Sequence, residues 1–401
     1  MRTITIAVSF IGILLISCQS NPSVENTEKG AVWSELENQL EHLEQSIVKE
    51  KSKSETDQQL VSPRTFENGK LKLVPSKDWC SGFFPGCLWL MYQHTHNEKW
   101  KNKAEAYTTL LADQQWNGKT HDMGFKMFCS YGTGYRLTQN EQYREILIQS
   151  AKTLITRFNP KVGCLRSWDH HQDVWHFPVI IDNLMNLELL FWATNETGDS
   201  TYYKIAEQHA LTTLKNHFRP DYSCYHVVDY DPETGEVLHK VTHQGYSDES
   251  AWARGQAWAL YGFTMAYRET SNPKFLEQAK HIAHFIFSHP NMPDDLVPYW
   301  DFDAPNIPNE PRDVSAAAVI ASALLELEKY VPEKATDYHQ KATFILNQLK
   351  NNYRSEPGTN QGFLLDHSTG SKPHNSEVDV PLIYADYYYL EALSRNDSFQ
   401  H

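Results

Sequence analysis

The chain has 401 residues, 40% of them hydrophobic and 21% charged, with a formal net charge of -14. That balance excludes a disordered or fibrous chain, and the excess of carboxylates argues against nucleic acid or an anionic membrane surface as a bulk partner. Aromatic residues are abundant, including 11 Trp and 21 Tyr, which suits a cleft that stacks on sugar faces as well as a large helical core.

The first element in chain order is a leader. Met1-Arg-Thr3 precedes an apolar run over 4–16, which closes on Leu15-Ile-Ser-Cys18. A basic start, a short apolar segment and a cysteine at the cleavage point look like a bacterial lipoprotein signal. The run is too short to cross a bilayer. The expectation is a signal peptide over 1–17, a tether over 18–30 that opens on lipidated Cys18, and one folded domain over 31–401. The membrane would then be a partner only through the lipid anchor, on the periplasmic side or the outer surface of a bacterial cell envelope. Five other cysteines, at 80, 87, 129, 164 and 224, include no CxxC pair. They form neither a disulfide framework nor a zinc site and are expected as small core residues.

From residue 31 onward hydrophobic spacing predicts twelve helices, near 31–51, 80–95, 98–114, 122–137, 141–158, 179–194, 200–217, 248–269, 273–289, 312–330, 335–353 and 380–395. Even-numbered members are apolar on most sides, as in Ala316-Ala-Ala-Val-Ile-Ala-Ser-Ala323, whereas odd-numbered members carry a charged face. Alternating buried and exposed helices predict an all-α fold, an (α/α)6 barrel of six hairpins in one domain. No residue-level repeat recurs at fixed period, which disfavours an open solenoid. One excursion is expected: Ser223-Cys-Tyr-His-Val-Val-Asp-Tyr230, the turn Asp231-Pro-Glu-Thr-Gly235 and residues 236–242 read as a β-hairpin.

The chemistry-bearing residues gather at the starts of the even-numbered helices, which share one rim in such a barrel. Trp79 precedes the second, His121 and Asp122 the fourth, Asp182 falls at the start of the sixth, Arg254 lies in the opening of the eighth, and Arg312 and Asp313 open the tenth. Asp122 and Asp182 stand where a helix N-cap would stand. An acid among Phe, Ile, Leu and Trp is also costly to ionise, so its pKa should rise toward the range a general acid/base needs.

Four motifs, Trp79-Cys-Ser-Gly-Phe-Phe-Pro-Gly86, His121-Asp-Met-Gly-Phe125, Ile181-Asp-Asn-Leu-Met-Asn-Leu-Glu188 and Trp252-Ala-Arg-Gly-Gln-Ala-Trp258, resemble the unsaturated glucuronyl hydrolases, glycoside hydrolase family 88. The resemblance runs from about residue 74 to 393 and implies the same (α/α)6 barrel. It implies removal of a 4,5-unsaturated glucuronic acid from the non-reducing end of lyase-generated oligosaccharides, by hydration of the C4=C5 enol ether and without a cofactor. Asp182 matches the principal acid/base and Asp122 the second essential aspartate. Trp79 and Trp168 match aromatic walls of the pocket, and His121 a substrate contact. His226 matches a histidine near the water, Gln244 a glutamine on the unsaturated sugar, and Arg254 with Trp258 a substrate-facing pair. Ser368 and Ser371, with Lys372, resemble a serine/lysine loop used for sulfate or the second sugar, although the lysine departs from the expected spacing.

Read without the resemblance, the same residues allow blander roles: core filling for each Trp, an ion pair with Asp248 or Glu249 for Arg254, and a polar turn for 367–374. His170, His171, Asp173 and His176 lack the spacing of a metal-binding helix, and no metal is expected. Two other activities remain open, an unsaturated rhamnogalacturonyl hydrolase of a related family or an epimerase on the same barrel, as does a non-catalytic, lipid-anchored sugar-binding protein.

Overall fold

The computed structural model describes residues 22–53 and 59–398. The leader and Cys18 lie outside the described residues. Twelve α-helices are seen among those residues: α1 (Pro22–Lys51), α2 (Phe83–Thr95), α3 (Glu98–Thr109), α4 (Thr133–Thr138), α5 (Glu141–Ile155), α6 (Glu188–Thr197), α7 (Ser200–Asn216), α8 (Ala253–Thr270), α9 (Pro273–Ser288), α10 (Val314–Leu327), α11 (Ala335–Asn352) and α12 (Ile383–Ser398). The even-numbered helices form the inner ring, with the π-helical segment Gly124–Gly132 that leads into α4 packing on both α2 and α6, and α12 returns onto α2 to close it. Every residue of α10 and the first fourteen of α8 are buried, whereas α3 buries only Trp100, Ala104 and Thr108. The alternation of apolar and charged-faced helices is therefore the inside and outside of one toroid.

The outer helices α3, α5, α7 and α9 start on side-chain caps, with Asn97, Asn140, Asp199 and Asn272 each accepting a backbone N–H two residues on. The inner helices α2, α6 and α8 have no such cap. Asp313 is the inner-ring exception, accepting from Ser315 and Ala316 N–H at the start of α10.

Several starts differ from the sequence expectation. The first helix begins at Pro22 rather than 31, so part of the expected tether is helical. The fourth opens as a π-helix over Gly124–Gly132, and the sixth is preceded by a strand and a 3-10 turn over Ile181–Asn186. The eighth begins five residues later than expected, leaving Asp248 and Glu249 in a loop.

The expected hairpin is present as β6 (Val227–Tyr230) and β7 (Val237–Val241), and a short strand, β5 (Pro178–Ile180), adds to it. Two further hairpins were not anticipated: β1 (Leu60–Glu67) with β2 (Lys70–Pro75), and β8 (Ser368–Ser371) with β9 (Ser376–Val380). A minimal pair, β3 (Phe158–Asn159) with β4 (Cys164–Leu165), completes the strands among the described residues. Arg64 on β1 links the first hairpin to the last, holding Glu377 on β9 and, at 3.0 Å, Asp78 just before Trp79.

The ring has two mouths. A recess of about 600 Å³ opens at the end where α2, α6, α8 and α12 finish, but neither Asp122 nor Asp182 lines it. Arg268 there holds Glu188, Glu269 and Glu326, and Arg395 holds Glu326 and Glu391. The charges that line this mouth are paired with one another.

Gly262 on α8 lets the 3-10 turn lie against the ring, since a Cβ at that position would sit 2.4 Å from the Leu184 Cβ. Gly262→Ala is expected to lose about 1–3 kcal/mol of stability by overpacking, read as a lower midpoint in thermal or denaturant unfolding.

Candidate active site

The other mouth gathers the residues that the sequence singled out. Asp122 lies in the turn before the π-helix and Asp182 in the 3-10 turn, and neither carboxyl caps a helix. The expectation that both are N-caps is thus corrected. Because the backbone at both places is not yet α-helical, the carboxyls have no ring of helical N–H groups to bind and stay available. Asp122 Oδ2 instead accepts from the Thr120 hydroxyl at 3.1 Å.

Two contacts bring these turns together. Gly124 packs so close to the second turn that a Cβ there would sit 2.5 Å from the Cα of Asn186. Asn186 Oδ1 also accepts the Phe125 N–H at 3.0 Å. Ser167 forms the second link. Its carbonyl accepts from His121 Nδ1 at 2.6 Å, and its hydroxyl accepts the Ile180 N–H at 3.0 Å, two residues before Asp182. Sequence reasoning missed Ser167 and Asn186. Two Asn three residues apart in the apolar run Asn183-Leu-Met-Asn186 were the available signal for a buried polar link.

The Asp182 side chain keeps 13% of its surface exposed, and Oδ2 has no hydrogen-bond partner among the described residues. Burial pushes its pKa up to about 7, against the opposing charge of Arg254, and the Asp122 charge pushes in the same upward direction. Facing it is His226 Nε2, 3.8 Å from Oδ2 and too distant for a hydrogen bond. His226 Nδ1 accepts the backbone N–H groups of His243 at 3.1 Å and Gln244 at 3.2 Å. Those bonds place the proton on Nε2, so His226 presents an N–H donor toward Asp182. Burial, and then the charges of His243 and Arg254, hold its pKa well below the ordinary value, so the ring stays neutral.

His121 has the reverse arrangement. Nδ1–H donates to Ser167, and Nε2 lies 3.1 Å from Asp122 Oδ1 without the alignment of a hydrogen bond. Burial lowers its pKa, with the Asp122 charge opposing. One inner-ring acid is a useful contrast. Asp386 is also raised by burial, to about 8, but its two oxygens accept the Leu364 and Leu365 N–H groups. Asp386 organises backbone; Asp182 has an oxygen left to react.

Residues 79–401, which include all four sequence motifs, fall inside the region 51–401 that matches the glycosyl hydrolase family 88 domain. The chain belongs to that family. It is 48% identical to an unsaturated glucuronyl hydrolase of Formosa agariphila, with 99% of each chain covered. An unsaturated chondroitin disaccharide hydrolase of Streptococcus pneumoniae is 35% identical, over 83% of this chain and 85% of the relative. Among solved structures, an unsaturated glucuronyl hydrolase specific for heparin superposes with a TM-score of 0.83 at 47% identity, covering 91% of this chain and 98% of that one.

The remaining candidates of the family 88 site have varied placements. Trp79 is half-buried at the mouth, against Phe83, Phe125 and Tyr384. Trp168, next to Ser167, is also half-buried, with its ring 5.5 Å from those of His170 and Trp175. Gln244 Nε2 donates to Gly370 O at 3.0 Å, and Ser368 Oγ is buried without a partner.

Arg254 is buried and does not pair with Asp248 or Glu249. It bonds Asp313 and Thr369 O, each at 2.5 Å, and Gly370 O at 2.5 Å. Three of its N–H bonds are thus committed to the protein, and its remaining influence on Asp182 is through charge. Trp258 has no exposed surface, with Phe125 and Tyr388 packed against it. The expectation that Trp258 faces substrate is corrected to a ring of the core, because the inner helices close around it.

The raised pKa of Asp182 has a thermodynamic signature. The fold favours the protonated form, so the contribution of this group is full below about pH 3.8 and is lost as pH rises through about 7. Asp182→Asn is always neutral. Its stability gain over the parent is expected to be near zero at pH 4 and to grow, on the order of a few kcal/mol, to a plateau above about pH 7, measured by denaturant melts across that range.

Proposed function

We propose that this chain removes a 4,5-unsaturated glucuronic acid from the non-reducing end of oligosaccharides released from glycosaminoglycans by lyases. The carrying observation is the unpartnered Asp182 Oδ2, raised to about 7 and facing the Nε2–H of neutral His226. An acid at that pKa is divided between its two forms near neutral pH, which suits a group that both gives and takes a proton.

In this reading protonated Asp182 delivers its proton to C4 of the enol ether, and positive charge develops at C5 and the ring oxygen. Water adds at C5 and returns a proton to Asp182, so the acid is regenerated. The C5 hemiketal opens to a ketone, leaving C1 as a hemiacetal that collapses to an aldehyde and releases the next sugar as its alcohol. Water accepting from His226 Nε2–H and donating to Asp182 Oδ2 would occupy the apex of a triangle over their 3.8 Å separation. No bond to the leaving sugar is broken directly by a carboxylate, unlike the two-carboxylate route at an anomeric carbon. Burial is the main cause that keeps Asp182 from ionising too early, and Asp122, steadied by Thr120 and fixed beside His121, adds a smaller push in the same direction.

This route consumes the C=C bond. Purified enzyme should therefore remove the ultraviolet absorbance of unsaturated glycosaminoglycan disaccharides, with kcat/KM falling as pH rises above about 7 and Asp182 loses its proton. Asp182→Asn should lower kcat by about 10²–10⁴-fold while still binding the disaccharide. Binding with the absorbance untouched by the parent enzyme would instead support a sugar-binding protein.

The leader supports a second proposal, lipidation at Cys18 and residence in the bacterial cell envelope. Its support is the order of basic start, apolar run and Leu15-Ile-Ser-Cys18. Full-length chain should incorporate labelled palmitate in a bacterial host, and Cys18→Ser should abolish that and release the protein from the membrane fraction.

A further inference from the structure

Two lysines near this mouth differ in what they touch. Lys372, beside Ser371 in the β8–β9 hairpin, keeps 38% of its side chain exposed and lies 3.6 Å from Glu310 Oε2. Lys126, one turn after Asp122, has no exposed surface at all. Its backbone N–H donates to the Asp122 carbonyl at 3.0 Å, which makes the two side chains neighbours along the chain segment. Gly82 packs against the Lys126 carbonyl so closely that a Cβ there would sit 2.2 Å from it. The backbone that carries this ammonium is therefore fixed.

The ammonium has few partners. Nζ donates to Gln114 Oε1 at 3.2 Å, an oxygen that also accepts from Asn117 Nδ2 at 2.8 Å. No carboxylate among the described residues lies within ion-pair reach of it. A cation held so is expensive to bury, and an apolar side chain of the same length would fill the space at lower cost. Its use must lie in its charge. Burial pulls its pKa down to about 8, and the charges of Asp122, then Asp78 and Asp113, oppose that fall. Lys126 is thus still charged at neutral pH.

Two of those three acids are already engaged. Arg64 holds Asp78 at 3.0 Å, and Asp113 accepts from Gln114 Nε2 at 2.9 Å. The third, Asp122, stands at the reacting centre. Attraction between charges is mutual, so whatever Asp122 does for the ammonium, the ammonium does for the Asp122 carboxylate. The Lys126 charge also acts on His121 beside Asp122, whose pKa is lowered by burial first and then by Arg157 and Lys126.

We propose that Lys126 is a positioning residue for the proton: its buried ammonium, one turn behind Asp122, holds Asp122 as the charged member of the pair and leaves the working proton on Asp182. This rests on the hydrolase reading above and adds to it a residue that touches no substrate. Two nearby carboxyls share their ionisation unless their surroundings tell them apart. Arg254 favours the charged form of Asp182. A cation behind Asp122 is the counterweight that keeps the two roles distinct.

The test is the pH profile of kcat/KM on an unsaturated disaccharide, from about pH 5 to about pH 8, for the parent, Lys126→Met and Lys126→Arg. Without the cation the charge on Asp122 is less favoured. In Lys126→Met the acid-side loss of activity is expected to begin about one pH unit higher, a deficit of about tenfold at the acid end. Lys126→Arg keeps the charge and should keep the shape of the parent's profile, whatever its level of activity. A Met variant whose profile superimposes on the parent's, or an Arg variant shifted as far as the Met variant, overturns the proposal and leaves the hydrolase reading intact. Absence of turnover by the parent on every disaccharide overturns both. Should Lys126→Met not fold, NMR of lysine labelled at Cε decides, with the Lys126 signal assigned through Lys126→Arg. Asp122→Asn is expected to let that ammonium lose its proton about one pH unit earlier, and an unchanged titration refutes the coupling.

Discussion

Arg254 and Asp313 sit 2.5 Å apart with almost no solvent on either, and the cleft is assembled around that pair. Asp313 starts α10, while Arg254 comes from the first turn of α8 and reaches two carbonyls on β8. The guanidinium also lies over the Trp252 ring at 4.6 Å, and Trp252 lies 4.5 Å from the ring of His226. A cation taken out of water is tolerated when its charge is matched and its N–H groups are bonded. Here that requirement fixes two inner helices and a hairpin relative to one another, and its field reaches Asp182. The arginine expected to grip substrate is better described as the keystone that the substrate-facing groups rest on.

The two acids differ because of what surrounds them rather than what they are. Asp122 has a hydroxyl donor and a histidine alongside; Asp182 Oδ2 has no hydrogen-bond partner and faces His226 at 3.8 Å. Their proximity depends on a glycine and an asparagine side chain that let two inner turns touch. His121 and His226 carry opposite tautomers, each dictated by backbone partners. The site thus holds one donor N–H against an acid that can carry a proton. That combination can move protons without stored charge.

Much of this was legible in the sequence. Helix periodicity gave the ring, since apolar and charged faces alternate over long stretches and depend little on detail. The even-numbered starts gave the rim, and the two aspartates were found there. The local geometry was not legible. A π-helix and a 3-10 turn are set by packing between segments far apart in sequence, so both acids read as caps. Arg254 was read toward Asp248 or Glu249 because spacing sees only nearby residues, whereas its partner is 59 positions away. Trp258 matches a substrate-facing position because sequence shows an aromatic residue and not the Phe and Tyr that cover it. The hairpin of β8 and β9 was hidden by polar residues that lack strand alternation.

The ring is fastened by its ends. Arg64, near the start of the folded body, grips Glu377 near its finish, and Asp78 beside Trp79 shares the same guanidinium. The carbonyls that satisfy Arg254 are at 369 and 370, again close to the finish. A chain still emerging from the ribosome therefore has its acids, histidines and tryptophans long before it has the piece that holds them in place. Synthesis must pass residue 377 before the cleft is fastened, and a chain stopped short of it leaves an open arc of hairpins with apolar inner faces, a substrate for chaperones rather than an early enzyme.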